Sequence, residues 1–324
     1  MGNRVCEALG IKYPVIQGPM AWTSLPPLVA AVSNSGGLGV LGSGAMPGEI
    51  IKQMAEGIRA MTDKPFGANI FLDPGPILDE ACDAIIEAKF PVVYIDTLAL
   101  LEEEIAMQYY TKFKAAGLKI VAKINYLSDA IVAAKCGADV IIAKGVEGGG
   151  HCTKISGRVL LAECVENIPD TPIVASGGIA TPRQAAGCTV VGADGIEMGT
   201  AFMTTIECPT HPNVKQAIVN AIDRDVVACG QSTGEPSWQL RNALADEMLK
   251  AEADLPWSEA AEFIRKESMG SLRAASLEGE VKERGAVLSG QVCGLIHEVV
   301  PVKYLVEDFC AKWEEWLKKD YSIT

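Results

Sequence analysis

The chain has 324 residues, 49% of them hydrophobic, enough at this size to bury roughly three quarters of the unfolded surface without disulfides or a structural metal. A formal net charge of −13, uninterrupted by any Lys/Arg cluster, opposes attraction to phosphate backbones and anionic lipid and argues against nucleic acid and membrane partners. The ten cysteines form no C-x-x-C pair, which argues against a zinc site or disulfide frame and for reduced thiols in a cytosolic protein.

Short apolar, β-rich runs recur at residues 14–18, 38–42, 66–71, 92–96, 119–124, 139–144, 172–176 and 195–198. Segments with helical spacing lie between them, among them 28–35, 49–61, 77–88, 102–116, 128–136 and 158–167, most ending at or just before Gly. The strands are apolar throughout and do not alternate, as expected when helices cover both faces of a parallel sheet. Eight such units predict an α/β fold, a parallel (β/α)8 TIM barrel, with a doubly wound open sheet as the rival. Gly18, Gly42 to Gly44, Asn69, Lys123, Glu147 to His151, Ser176-Gly177-Gly178 and Gly199-Thr200 all fall at or just beyond C-terminal strand ends. Barrel enzymes build their sites on that face.

Beyond Thr200 the rhythm breaks. Residues 207–285 show helical patterns with no further convincing strand, which predicts a helical cap or insertion after the eighth strand, with 1–206 and 286–324 forming the barrel. The chain returns through Ser289-Gly-Gln-Val-Cys-Gly-Leu295 to a last amphipathic helix carrying Leu305, Val306, Phe309, Trp313, Trp316 and Leu317 on one side, expected to pack on the barrel. The N-terminal Met-Gly-Asn-Arg-Val-Cys6 lacks the apolar core of a signal peptide, and no apolar run reaches the ~18 residues of a membrane span. The cytoplasm is the expected location.

Val174-Ala-Ser-Gly-Gly-Ile-Ala180 and Glu197-Met-Gly-Thr200 follow the seventh and eighth strands and offer small residues and backbone N–H groups to a phosphate. Tight turns would explain either loop alone; both in this order favour phosphate. Asn69 ends the third strand, where its amide can both donate to and accept from the edge of a planar ring. Lys123 ends the fifth, where a buried ammonium needs an anion, either a bound group or a structural salt-bridge partner. His151, one of three histidines, follows three glycines and is a candidate proton donor, proton acceptor or substrate anchor. Glu147 is assigned to positioning, and His211 and His297 to structure. Cys152 beside His151 invites a Cys–His nucleophile, but adjacent loop residues usually point apart and no orienting Asn or Asp is evident.

The ordered pieces Ile16-Gln-Gly-Pro-Met-Ala-Trp22, Ser35-Gly-Gly-Leu-Gly39, Lys64-Pro-Phe-Gly-Ala-Asn-Ile70, Glu147-Gly-Gly-Gly-His151, Ala175-Ser-Gly-Gly-Ile179, Met198-Gly-Thr200 and Ser289-Gly-Gln291 span nearly the whole chain. The sequence thereby resembles the superfamily of nitronate monooxygenases (2-nitropropane dioxygenases) and FMN-dependent enoyl-ACP reductases. The resemblance implies bound FMN, with its phosphate at Ser176, Gly177, Gly178, Gly199 and Thr200 and its ring near Met20, Asn69 and His151. Gly18, Pro19, Ala21, Lys123, Glu147, Gly149, Gly150 and Met198 complete the expected cofactor contacts, with Lys123 offsetting negative charge on the reduced ring. His151 is the expected catalytic residue and no metal ligand is expected, although some enoyl reductases of this type use a monovalent cation.

Branch signals are mixed. Gly18-Pro-Met-Ala-Trp22 and residues 285–295 look like the enoyl reductases, which usually carry a second Gly in place of Pro19 and Ala in place of Gly148. Lys123 and Glu207-Cys-Pro-Thr-His-Pro212 resemble the monooxygenase and quinone-reductase side. The leading expectation is reduction of an enoyl thioester, free or on acyl carrier protein, with NADH or NADPH as co-substrate in a fatty-acid-forming role. Nitronate oxidation with oxygen and quinone reduction are the alternatives, a barrel that merely senses FMN is the non-enzymatic one, and a homodimer is the assembly expected from family habit.

Overall fold

The apolar runs of the sequence form the staves of one barrel in the computed structural model, which describes residues 2–98, 100–151 and 154–321. Its strands are β1 (Val15–Gln17), β2 (Gly39–Leu41), β3 (Phe66–Phe71), β4 (Val92–Asp96), β5 (Lys119–Ile124), β6 (Val140–Lys144), β8 (Ile173–Ser176) and β9 (Gly195–Met198). A two-residue strand, β7 (Gly150–His151), intervenes and belongs to a different sheet. The barrel strands are parallel and follow the order β1-β9-β8-β6-β5-β4-β3-β2. The ends meet where Leu38 N donates to Val15 O and Gln17 N to Leu38 O, both at 2.9 Å. The open-sheet rival is thereby excluded.

Side chains alternate across each strand, so one set faces the lumen and the other faces the helices. Ile16, Val40, Val92, Tyr94, Val121, Val140, Ile142 and Val174 form one buried cluster in the lumen. The N-terminal helix Arg4–Leu9 closes the barrel's lower end by adding Val5 and Leu9 to it. Asn3 caps that helix, its Oδ1 accepting from Val5 N at 3.0 Å and Cys6 N at 3.1 Å. The outward set, including Ile70, Val93, Ile95, Ile120, Ile141, Ala143 and Ile196, packs against the surrounding helices in the main core. Strands buried on both faces explain why the sequence reads apolar without alternation.

The last helix, Phe309–Leu317, packs on helix Pro182–Val191, and Trp313 Nε1 donates to Thr189 Oγ1 at 3.0 Å. The expected docking on the barrel is met. Segment 207–285 is predominantly helical, with helices Pro212–Asn220, Ala243–Asp254 and Trp257–Glu267, yet it also contains two strands the sequence pattern did not disclose. β10 (Val226–Cys229) and β11 (Ser237–Leu240) pair antiparallel, and β11 in turn pairs with β7. Four-residue strands beside strong helical patterns carry too little periodicity to be read, and β11's second partner lies in a distant loop. Among the described residues no helix is long and apolar enough to cross a membrane.

Candidate functional site

Near the C-terminal end of the barrel the lumen changes from apolar to polar. The inward positions there are Asn69 on β3, Tyr94 and Asp96 on β4, Lys123 on β5, Lys144 on β6, Ser176 on β8 and Glu197 on β9. Glu197 is the centre of this layer: Tyr94 Oη donates to its Oε2 at 2.5 Å and Ser176 Oγ to its Oε1 at 2.6 Å. Burial raises the Glu197 carboxyl above its ordinary value, against the lowering pull of Ser176, Tyr94, Lys123 and Lys144. Burial, reinforced by Glu197 and Asp96, holds the Tyr94 phenol far above its ordinary value, so it stays a donor. Lys123, 4% exposed, forms an ion pair with Asp96. The anion that a buried ammonium demands is therefore supplied by the protein itself.

The loop after β1 lies against this floor. A side chain at Gly18 would place its Cβ 3.2 Å from Glu197 Cδ, a tight contact that measures how closely the loop approaches this floor. Buried Gln17 binds Gly18 O with its amide nitrogen and accepts from Val40 N at 3.1 Å, while Ser24 Oγ accepts from Met20 N at 3.0 Å. These contacts fix residues 18–24 and leave Trp22 exposed with a positive φ of 62°. Asn69 Oδ1 accepts from Gly44 N at 2.9 Å. Its Nδ2 meets no protein acceptor among the described residues.

Glu147-Gly-Gly-Gly-His151 forms a wall above Lys144, whose Nζ donates to Gly149 O at 3.1 Å and His151 O at 2.9 Å. Glu147 accepts from Gly157 N at 3.0 Å and Ser156 Oγ at 3.4 Å, binding the start of helix Gly157–Asn167. Its carbonyl accepts from Gln291 N at 3.0 Å, and Gly290 N donates to Thr200 Oγ1 at 3.0 Å. A Cβ on Gly149 would stand 2.6 Å from Gly290 N, so segment 289–291 braces the wall by backbone contact. On the other side Trp238 Nε1 donates to Val146 O at 2.7 Å, and the register pairs Ser237 with His151 and Trp238 with Gly150.

His151 is half-buried, edge-on to Phe71 at 6.4 Å between ring centroids, with its Nε2 3.8 Å from Glu235 Oε2. Burial pulls the imidazole below its ordinary value, opposed by Asp96 and Glu235 and assisted by Lys144 and Lys123. His211 has a structural place: its Nδ1 accepts from Asn213 N at 3.1 Å and caps helix Pro212–Asn220. The Cys152 nucleophile considered from the sequence lies outside the described residues.

Gly177 and Gly178 adopt left-handed φ values of 91° and 70°. A Cβ at Gly177 would stand 3.0 Å from both Gly145 O and Gly148 N, and one at Gly178 would stand 2.9 Å from Glu147 Cβ. Among the described residues the amides of Gly178, Ile179, Gly199 and Thr200 have no protein acceptor. A glycine cradle with unpaired N–H groups, on the same barrel end as a donor amide on Asn69, fits a phosphorylated planar cofactor.

A family model described as nitronate monooxygenase matches residues 3–115 and 106–312. The chain belongs to the nitronate monooxygenase family. It is therefore an oxidoreductase of a flavin-dependent group. A probable nitronate monooxygenase of Staphylococcus aureus is 29% identical, over 89% of this chain and 91% of that protein. Among solved structures, FabK from Thermotoga maritima is 36% identical with a TM-score of 0.89, covering 97% of both chains. A nitroalkane oxidase from Streptomyces ansochromogenes is 26% identical with a TM-score of 0.81, covering 97% of this chain and 98% of that one.

In this member of the nitronate monooxygenase family, the sequence-predicted positions Gly18 to Ala21, Asn69, Lys123, Glu147 to His151, Ser176 to Gly178 and Gly199-Thr200 gather at one end of the barrel. Met198 contributes differently: its carbonyl accepts from Gly18 N at 3.0 Å, while its side chain lies in the outer core. Sequence reasoning missed Gln17, Tyr94, Asp96, Lys144 and Glu197 as site residues. The available signal was a polar side chain inside or closing an otherwise apolar strand, at the parity of the lumen for Tyr94, Asp96, Lys144 and Glu197 and at the opposite parity for Gln17.

Proposed function

We propose that this protein is an FMN-dependent oxidoreductase that reduces the activated C=C bond of an enoyl thioester with NADH or NADPH. The observation that carries this reading is the whole-length likeness to FabK, closer in identity and TM-score than that to the nitroalkane oxidase. Exposed Trp22, Ile77, Leu98 and Leu100 give additional support. They lie beyond the C-terminal ends of β1, β3 and β4, on the barrel end that carries the site, where an apolar acyl chain would find surface.

When bound, FMN supplies hydride transfer from the nicotinamide to the alkene β-carbon. The amides of Gly178, Ile179, Gly199 and Thr200 would hold the phosphate, and Asn69 Nδ2 with loop 18–21 would meet the ring edge. Lys123 and Lys144 supply a positive field in the floor, partly offset by Asp96 and Glu197. His151, on the wall, would orient the thioester carbonyl and hold the proton delivered to the carbon beside it. Oxidation of alkyl nitronates is the second reading, favoured by the family match and the Staphylococcus aureus relative.

Anaerobic mixing of the yellow protein with NADH, NADPH or a nitronate separates the two. Bleaching by NAD(P)H and recovery on adding crotonyl thioester supports the reductase. Bleaching by nitronate alone selects the oxidase, and a colourless protein that takes up no FMN overturns both. Turnover of His151→Ala within about twofold of wild type would overturn the role given to that residue.

A further inference from the structure

We propose that Glu235, supplied by segment 207–285, is a positioning residue for His151, orienting the imidazole and raising its affinity for a proton. The proposal rests on the reading of His151 as the proton-holding group of the wall. Register brings the pair together: β11 aligns Ser237 with His151, and two residues earlier the Glu235 carboxylate reaches to 3.8 Å from His151 Nε2. No other ion pair or side-chain hydrogen bond engages that carboxylate among the described residues.

The turn that presents Glu235 is anchored. β10 and β11 pair at four positions, and the turn between them uses Gly230 and Gly234 with left-handed φ values of 86° and 83°. Ser232 N donates to Glu252 Oε1 at 2.8 Å and Arg265 Nη2 to Thr233 O at 3.2 Å, tying the turn to helices Ala243–Asp254 and Trp257–Glu267. Pro236 restricts the backbone of Glu235 to extended conformations. Trp238, held on Val146 O, locks β11 to the wall.

The charged groups acting on the imidazole come from four elements: Asp96 on β4, Lys123 on β5, Lys144 on β6 and Glu235 from the turn. Asp96 and Lys123 neutralise each other, and Lys144 is occupied by the carbonyls of Gly149 and His151. Glu235 is thus the carboxylate that favours the imidazolium without an ion-pair partner of its own.

The test is an NMR titration of the imidazole signals in the full-length protein. With three histidines in the chain, His151→Asn assigns the relevant resonance. Glu235→Gln should lower the proton affinity of His151 by about two- to fivefold, the range of a partly exposed ion pair. Thermal stability and FMN affinity should stay at wild-type values, and Glu235→Asp should restore part of the shift. The limb of the kcat/KM pH profile that belongs to His151 should move to lower pH by the same factor. An unmoved His151 titration in Glu235→Gln overturns the proposal. A moved titration combined with wild-type turnover in His151→Ala overturns instead the role of His151, and with it any part for Glu235 in turnover.

Discussion

Tyr94→Phe removes one oxygen from the floor of the barrel and leaves the ring in place, so little cavity forms. Tyr94 is 1% exposed, and its hydroxyl donates at 2.5 Å to Glu197, itself enclosed by the lumen. A hydrogen bond to a charged acceptor contributes about 1.5–3 kcal/mol, and the buried carboxylate left behind keeps Ser176 as its remaining side-chain donor. An unfolding entropy near 2.1 cal/mol/K per residue converts that loss into a Tm decrease of about 2–4 °C for a chain of this length. Calorimetry on cofactor-free protein at pH 7.5 and at pH 5 measures it. The decrease should be larger at the higher pH, where Glu197 carries more charge. A Tm within about 1 °C of wild type at both pH values would refute the argument, because the contact would then add nothing to the folded state.

Glu197→Gln isolates the cost of the buried charge. Burial raises the folded-state value of Glu197 above its ordinary 4.5; between the two values the folded protein binds more protons than the unfolded chain, so this group's contribution falls as pH rises through that window. Melting curves from about pH 4 to about pH 8 should therefore show the variant gaining on wild type with rising pH, then levelling off; parallel curves would reject the assignment. Gly177→Ala would force a left-handed φ of 91° onto a residue with a Cβ 3.0 Å from Gly145 O and Gly148 N. The strain is about 1–3 kcal/mol, and FMN affinity in a fluorescence titration should drop at least about tenfold; an unchanged Kd would remove the glycine cradle from the site.

All eight barrel strands were legible in the sequence to within one residue at their ends, because runs such as 119–124 and 66–71 are mostly apolar with no strict alternation, and glycines punctuate the segments between them. A closed parallel barrel follows from such local patterns, and so does the clustering of Asn69, Lys123, Glu147, His151, Ser176 and Gly199 at one end, since each ends or closely follows a strand. What escaped the sequence depends on partners far along the chain. Glu197 and Tyr94 are separated by 103 positions, and only barrel closure puts their side chains in one lumen. Lys123 could have faced a bound anion or a protein one; strand register β4 to β5 chose Asp96. The wall was visible as a glycine run, but its second sheet was not, because Gly150 and His151 become a strand only when β11 supplies the other half of the hydrogen bonds. Periodicity determined the barrel and the face that carries the site; the charge state of its floor and the neighbour of His151 were decided by tertiary contacts that no local pattern encodes.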